Sequence, residues 1–375
     1  MNPNEIKILE SCTSQSWGGM EMRVLKTSQV FIERGHDVTI LCFPDSRLHF
    51  EAQKLNIKCY PLKFANGIHL TEIKKLRSSI EKEKLEIIHS QFSRDLRFIV
   101  PALGRKKPKI PLVLTKRVGS YISKKDIFHK YLYKKVDLVT AISNVIRQNV
   151  IDTCPVKPEK VKVIYNGINP EEYKKAFSNR TQLREKFQVA GNCVIGMAAR
   201  FTPGKGHETF LQAVKQVANL SKNLKFWIIG EESFGEEDYA KQIYNLSDTL
   251  NLKGNIEFLG FRKDLPDLLA AMDILVVPSH AEAFGNIAIE GMAVELPVIA
   301  SNTDGLLDIV INGETGIHFT PGDSGQLADA LNELILNPDK RKIYGKAGKR
   351  RVENLFDEKT QFDKLEKIFL QLAGK

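Results

Sequence analysis

Short apolar runs alternate with amphipathic stretches of helical length along the whole chain. In the first half the runs are IKIL (6–9), VTILCF (38–43), IKCYPL (57–62), EIIHS (86–90), PLVLT (111–115), LVTAIS (138–143) and VKVIY (161–165). In the second half they are VIGMAA (194–199), LKFWIIG (224–230), IEFLG (256–260), ILVVP (274–278), PVIAS (297–301) and GIHF (316–319). Most are apolar throughout and do not alternate, the pattern of parallel strands covered by helices on both faces. Helical spacing of apolar residues predicts helices over 20–34, ending before Gly35, and over 70–84. The segment 359–373 places Phe362, Leu365, Ile368, Phe369 and Leu372 on one helical face. The β-α-β rhythm occurs twice, which predicts an α/β protein of two doubly wound parallel-sheet domains. The turn Asn166-Gly167 and the polar stretch NPEEYKKAFSNRTQ mark a boundary near 166–190. The expected division is 1–168, 169–353 and a closing helix within 354–375 that packs back toward the first domain.

Length agrees, since 375 residues exceed the roughly 100–200 of a single domain. Hydrophobic residues at 42% and charged residues at 27% argue against a disordered or fibrous chain. No run approaches the ~18 apolar residues of a spanning helix, and MNPNEIKILE does not read as a secretory signal. The five cysteines (12, 42, 59, 154, 193) are scattered without a C-x-x-C, which predicts free thiols in a reducing compartment rather than a disulfide frame or zinc site. A cytosolic location is expected.

Charge is uneven. Residues 1–170 carry 30 Lys+Arg against 16 Asp+Glu, a net of +14, while 171–375 carry 25 against 29, a net of −4. The densest tract holds Arg105, Lys106, Lys107, Lys109, Lys116, Arg117, Lys124, Lys125, Lys130, Lys134 and Lys135 against Asp126 alone. A solvated helix face, an anionic lipid surface, a phosphorylated acceptor and nucleic acid all fit that composition. No nucleic-acid module accompanies it. Reversible binding to anionic membrane without insertion is expected, because no strongly apolar amphipathic helix accompanies the charge.

In such folds ligands sit at the carboxyl ends of the strands. Neither G-x-G-x-x-G nor G-x-x-x-x-G-K-[ST] follows a strand. The first strand runs into SCTSQSWGGMEMR, where Gly18 and Gly19 permit close backbone approach and a helix N-terminus offers N–H groups to an anion. The equivalent second-half loop is Arg200 followed by FTPGKGHETF, in which a guanidinium, the Lys205 ammonium and a helix N-terminus suit a diphosphate. After ILVVP comes SHAEAFGNIAIEGMAVELPVIAS. Glu282 stands in its loop, Gly285 at the helix start, and Glu290 inside an otherwise apolar helix where an unpaired carboxylate is costly. Two carboxylates at different depths of one cleft can hold different hydroxyls of an extended ligand.

HAEAFGNIAIEGMAVELPVIAS resembles the signature of retaining glycosyltransferases of family 4, which have the GT-B architecture of two facing Rossmann-like domains. WGGMEMR, AISNVIRQNV, VIYNGIN, AARFTPGKGHETF, FLGFRKDLPDLLAAMDILVVPS and NGETGIHFTPGD resemble the family's other elements in the same order. The resemblance implies sugar transfer from a nucleotide donor with retention. Arg200 and Lys205 would bind the diphosphate without a divalent metal or other cofactor, Glu290 the ribose and Glu282 the donor sugar. Phe284, Gly285, Asn286 and Ile287 belong to the same donor site, Gly18 and Gly19 would close over the phosphates, and backbone at Phe261-Arg262 would hold the base. A UDP-sugar is expected first, with GDP- or ADP-sugar as alternatives, and a glycan or lipid-linked acceptor of surface-polysaccharide or lipopolysaccharide type.

The sequence departs from the family at NTDGLLDIV, where Leu306 follows Gly305 and the acid is Asp308, which weakens any role for Asn302 and Thr303. Asn169 also replaces the aspartate usual after NGI. Where many relatives place an acceptor-side histidine, this chain has Thr115-Lys116-Arg117. His89, Lys116 and Arg117 are the candidates for its role, with Arg117 counted among the catalytic residues. A sugar-nucleotide epimerase or phosphorylase on the same fold, or a polyanion-binding non-enzyme, are the alternatives.

Overall fold

The computed structural model describes residues 5–64, 69–104, 109–232, 235–252 and 254–375. Arg105, Lys106 and Lys107 of the basic tract lie outside them. Contacts divide the chain into unit 1, residues 1–165 with 361–375, and unit 2, residues 166–360.

Unit 1 is a seven-stranded parallel sheet. Its strands are β1 (Lys7–Cys12), β2 (Asp37–Cys42), β3 (Lys58–Pro61), β4 (Ile87–Ser90), β5 (Leu112–Lys116), β6 (Leu138–Ala141) and β7 (Val161–Val163), in spatial order β3-β2-β1-β4-β5-β6-β7. Unit 2 has six parallel strands: β8 (Cys193–Ala198), β9 (Leu224–Ile229), β10 (Ile256–Gly260), β11 (Ile274–Val277), β12 (Val298–Ser301) and β13 (Gly316–Phe319). Their order is β10-β9-β8-β11-β12-β13. Each order reverses beside its first strand, between β1 and β4 and between β8 and β11, which opens a crevice there at the strand carboxyl ends. Every apolar run of the sequence is a strand, because most side chains on a parallel sheet covered by helices on both faces are buried and apolar. The helices predicted over 20–34 and 70–84 span Gly19–Glu33 and Leu70–Lys82.

The last helix, Glu358–Ala373, completes the unit 1 core. Phe369 stacks on Phe31 at 5.3 Å, and Phe362 meets the same ring edge-on at 6.2 Å. Around this apolar seam Glu366 binds His36 Nε2 at 2.8 Å and pairs with Arg34, whose Nη2 also reaches Asp363 at 2.7 Å. In unit 2, Ile168 N–H donates to the Phe356 carbonyl at 3.0 Å, and Glu358 N–H donates to the Ile168 carbonyl at 2.8 Å. A Cβ on Gly167 would lie 2.5 Å from Glu358 Cα, so the Asn-Gly turn is required where these two backbones cross.

Phe369→Ala should lower the stability of unit 1 by about 3–5 kcal/mol, the range for a large aromatic removed from a core. Denaturant unfolding followed by unit 1 hydrogen exchange checks it, and unchanged exchange in β1 and β4 would count against it.

Candidate functional site

In unit 2 the loop after β8 leads into the helix His207–Val217. Gly204 and Gly206 both adopt left-handed backbone, at φ +83 and +79. A Cβ on Gly206 would sit 2.1 Å from the Pro278 carbonyl oxygen at the end of β11. The loop is thereby pressed onto the next strand end, and Lys205 Nζ meets Glu282 Oε2 at 2.6 Å. The two residues expected to hold diphosphate and sugar are an ion pair, a relationship that their 77-residue separation hides.

Glu282 is held by its backbone as well. Its N–H donates to Asp304 Oδ2 at 3.1 Å, and its carbonyl accepts from Gly305 N–H at 2.8 Å. Gly285, at φ +104, caps the helix Asn286–Ala293, where a Cβ would meet Leu306 Cδ2 at 2.6 Å. Phe284 is buried edge-on against Phe356, while Asn286 is exposed and accepts from Asn166 Nδ2 at 3.2 Å. Ile287 is half-buried on the first turn of that helix. Leu306, the departure from the family pattern, therefore fills the space against Gly285. Asp304, not singled out in the sequence, orients the Glu282 loop.

Glu290 faces the first helix of unit 2, Pro170–Ser178. Burial, followed by the charge of Glu172, pushes its carboxyl up to about 7. The buried Tyr173 feels Glu290 in turn, although burial is the larger cause of its raised phenol. Neither Glu172 nor Tyr173 was legible as a site residue, because nothing in spacing brings this helix against 290. Phe261 is 63% exposed at the end of β10. The Arg262 side chain is committed to Asp264 through two 2.7 Å hydrogen bonds, leaving backbone as this loop's offering. Arg200 is exposed at the mouth of the loop after β8.

Unit 1 has a different construction. A buried polar chain crosses the carboxyl ends of β1, β4, β5 and β6. Thr140 Oγ1 and Thr115 Oγ1 share a hydrogen bond of 2.6 Å, and Thr115 Oγ1 meets His89 Nε2 at 2.6 Å. His89 Nδ1 meets Glu10 Oε1 at 2.7 Å, and Gln91 Nε2 donates to Glu10 Oε2 at 2.9 Å. Arg117 Nε and Nη2 donate to Gln91 Oε1 at 3.1 and 2.7 Å. His89 is 1% exposed, with both ring nitrogens engaged and Phe369 edge-on at 5.1 Å. It supports the chain of contacts behind Arg117 and presents no free nitrogen to a ligand. Burial, then repulsion from Arg23, pushes the Arg117 guanidinium down to about 9. Burial, then Lys124, brings Lys116 down to about 8.

At the N-terminus of the helix Gly19–Glu33, the Gly18 N–H is not free for an anion, because the Glu21 carboxylate accepts it at 3.0 Å. A Cβ on Gly19 would meet nothing within 4 Å, so close packing does not demand this glycine. The approach to that loop is fixed by Asp95, which accepts from the Thr13 N–H at 3.1 Å and from the hydroxyls of Ser11 and Thr13. Burial outweighs these contacts and pushes Asp95 up to about 6. The cysteines are not all isolated either: Cys42, Cys59 and His49 bring ligand atoms within 4.8 Å of one another at the β2–β3 edge.

Comparison with known proteins gives the family and the fold. The Glycosyltransferase Family 4 model matches residues 17–172, and the Glycosyl transferases group 1 model matches 179–351. The capsular polysaccharide biosynthesis glycosyltransferase CapM of Staphylococcus aureus is 30% identical over 64% of this chain and 65% of its own. An Escherichia coli UDP-Gal:alpha-D-GlcNAc-diphosphoundecaprenol alpha-1,3-galactosyltransferase is 26% identical over 78% of this chain and 77% of its own. Among solved structures, Anabaena HepE in complex with UDP and glucose is 25% identical with a TM-score of 0.80, over 97% of this chain and 99% of that one.

The raised Glu290 carboxyl predicts a pH dependence of known sign. A folded value above the ordinary 4.5 gives stability that is complete below 4.5 and is lost as pH rises through about 7. Glu290→Gln should flatten the fall in unit 2 stability across that window. Thermal unfolding of both proteins from acid to neutral pH measures it, and parallel curves would refute the assignment.

Proposed function

Because the chain belongs to the group 1, family 4 glycosyltransferases, we propose that it transfers a sugar from UDP-sugar, with retention and without a metal, to a lipid-linked or polysaccharide acceptor of the bacterial surface. The carrying observation is the convergence of the Lys205 loop and the Glu282 loop on one 2.6 Å ion pair, beside helix N-termini at His207 and Asn286. Two helix N-termini and two cations supply fixed positive potential where a diphosphate would leave. Lys205 would exchange Glu282 for phosphate oxygens, which releases the Glu282 carboxylate to hydroxyls of the donor sugar. Arg200 would neutralise charge on the departing diphosphate, and this pair of cations replaces the usual need for a divalent ion. A Glu290 carboxylate would accept from the ribose hydroxyls. UDP is favoured by the HepE likeness, and a lipid-linked acceptor by the Escherichia coli relative.

On the acceptor side, Arg117 and Lys116 would take the part of the missing histidine, with Arg117 aimed by Gln91. The leaving phosphate would accept the acceptor's proton. The basic unit 1 would work against an anionic membrane surface from the cytoplasmic side. No described helix is long and apolar enough to cross a membrane.

UDP should raise the melting temperature of the intact chain, by mass action on the folded state. Arg200→Ala and Lys205→Ala should each lower kcat by roughly 10²–10³, the range for a lost preorganised electrostatic donor. Turnover equal to wild type in Arg200→Ala would overturn its role. Incubation with UDP-sugar alone separates the alternatives, since an epimerase would convert it without acceptor.

Arg117→Ala should lower activity more than its stability loss explains, in acceptor KM if it clamps the acceptor and in kcat if it acts on the phosphate. His89→Ala should act chiefly by destabilisation, since Glu10 Oε1 loses its His89 partner and Thr115 keeps only Thr140, a loss of about 1–3 kcal/mol. A stably folded but inactive His89→Ala would reverse these assignments.

A further inference from the structure

Between β5 and β6, unit 1 exposes a run of large apolar side chains. Tyr121 is 99% exposed, Ile127 86%, Ile122 69%, Val118 60%, Phe128 50% and Tyr131 49%. Single exposed apolar residues are ordinary, but a cluster marks a surface that is covered in use. This exposure is built in. Ser120 N–H donates to Asn149 Oδ1 at 2.7 Å, and Asn149 Nδ2 returns to the Ser120 carbonyl at 3.1 Å. Lys124 N–H donates to the Thr153 carbonyl at 2.7 Å. Asp126 caps the helix Ile127–Tyr133 through the His129 N–H at 3.0 Å, and Leu132 and Tyr133 anchor that helix inward. With the polar and small groups pinned, the aromatic and aliphatic groups face solvent.

Lys125, Lys130 and Lys134 are exposed within the same stretch, and its one acid, Asp126, is engaged by His129. Tyrosines and lysines around isoleucines suit a bilayer interface, where phenol rings lie at headgroup depth and ammonium groups meet anionic lipid. A second copy of the chain would bring the same lysines together, which like-charge repulsion opposes. We propose that the exposed apolar side chains of residues 118–131 insert into the headgroup–acyl boundary of an anionic bilayer. This deepens the reading that unit 1 works at a membrane. It also departs from the sequence expectation of electrostatic adsorption alone: the apolar side chains are spread over a loop and a two-turn helix, and no long amphipathic helix announces them.

The test is flotation of the full chain with vesicles of phosphatidylcholine alone or enriched in phosphatidylglycerol, at low and high salt. Wild type should float with the anionic vesicles and keep part of its binding at high salt. Ile122→Ser combined with Ile127→Ser should weaken low-salt partition on the order of tenfold and abolish the salt-resistant part. Lys125→Glu combined with Lys130→Glu should remove the preference for anionic vesicles. Both variants should retain the wild-type melting temperature, since their side chains are exposed. Serine variants that float like wild type at both salt concentrations would overturn the proposal. So would a wild-type dimer in lipid-free buffer that the same serines dissolve. Flotation without any thermal response to UDP would remove the transferase reading and leave this one standing; a UDP response without flotation would do the reverse.

Discussion

Backbone pressed against backbone at the strand carboxyl ends is the constraint on which the donor-side geometry of unit 2 depends. A Cβ on Gly206 would lie 2.1 Å from the Pro278 carbonyl oxygen, and one on Gly230 1.9 Å from that of Ala199. One on Gly305 would lie 2.5 Å from Phe284 Cα. Real Cβ atoms do not approach backbone so closely, so a side chain at any of these positions would push the loops apart. Separated loops would take Lys205 off Glu282 and Asp304 off the Glu282 amide. The charged groups are therefore placed by glycines that carry no chemistry.

Unit 1 solves the same positioning problem with side chains. Glu10 lies fully buried in a strand, where a lone carboxylate would be prohibitive. His89 and Gln91 satisfy it from β4 and the residue beyond, and Gln91 passes the constraint to Arg117. A buried polar network is favourable only when its members are paired, so the chain from Thr140 to Arg117 fixes one arrangement of these strand ends. The closing helix seals it by setting Phe369 against His89.

Burial disfavours the charged forms of groups of both signs. Glu290 and Asp95 are pushed up, Lys116 and Arg117 down, each chiefly by loss of water around its charged form. Such groups hold their charge at a cost in stability that a bound ion of opposite sign would relieve, as at many functional sites.

The sequence by itself marked the thirteen strands of the described residues, because strands covered by helices are mostly apolar and read as runs without reference to partners. It also marked the loops that bear Arg200, Lys205, Glu282 and Glu290, since glycines and charges at the ends of apolar runs are local features. Family likeness supplied their expected roles. Tertiary structure alone decided which of these groups meet. The Lys205–Glu282 pair, the Asp304 contact and the press of Glu172 on Glu290 join residues far apart in sequence, whose distances follow from strand order. It likewise turned His89 inward and Tyr121 and Ile127 outward. Burial belongs to the packed surface, and spacing along a chain does not record it.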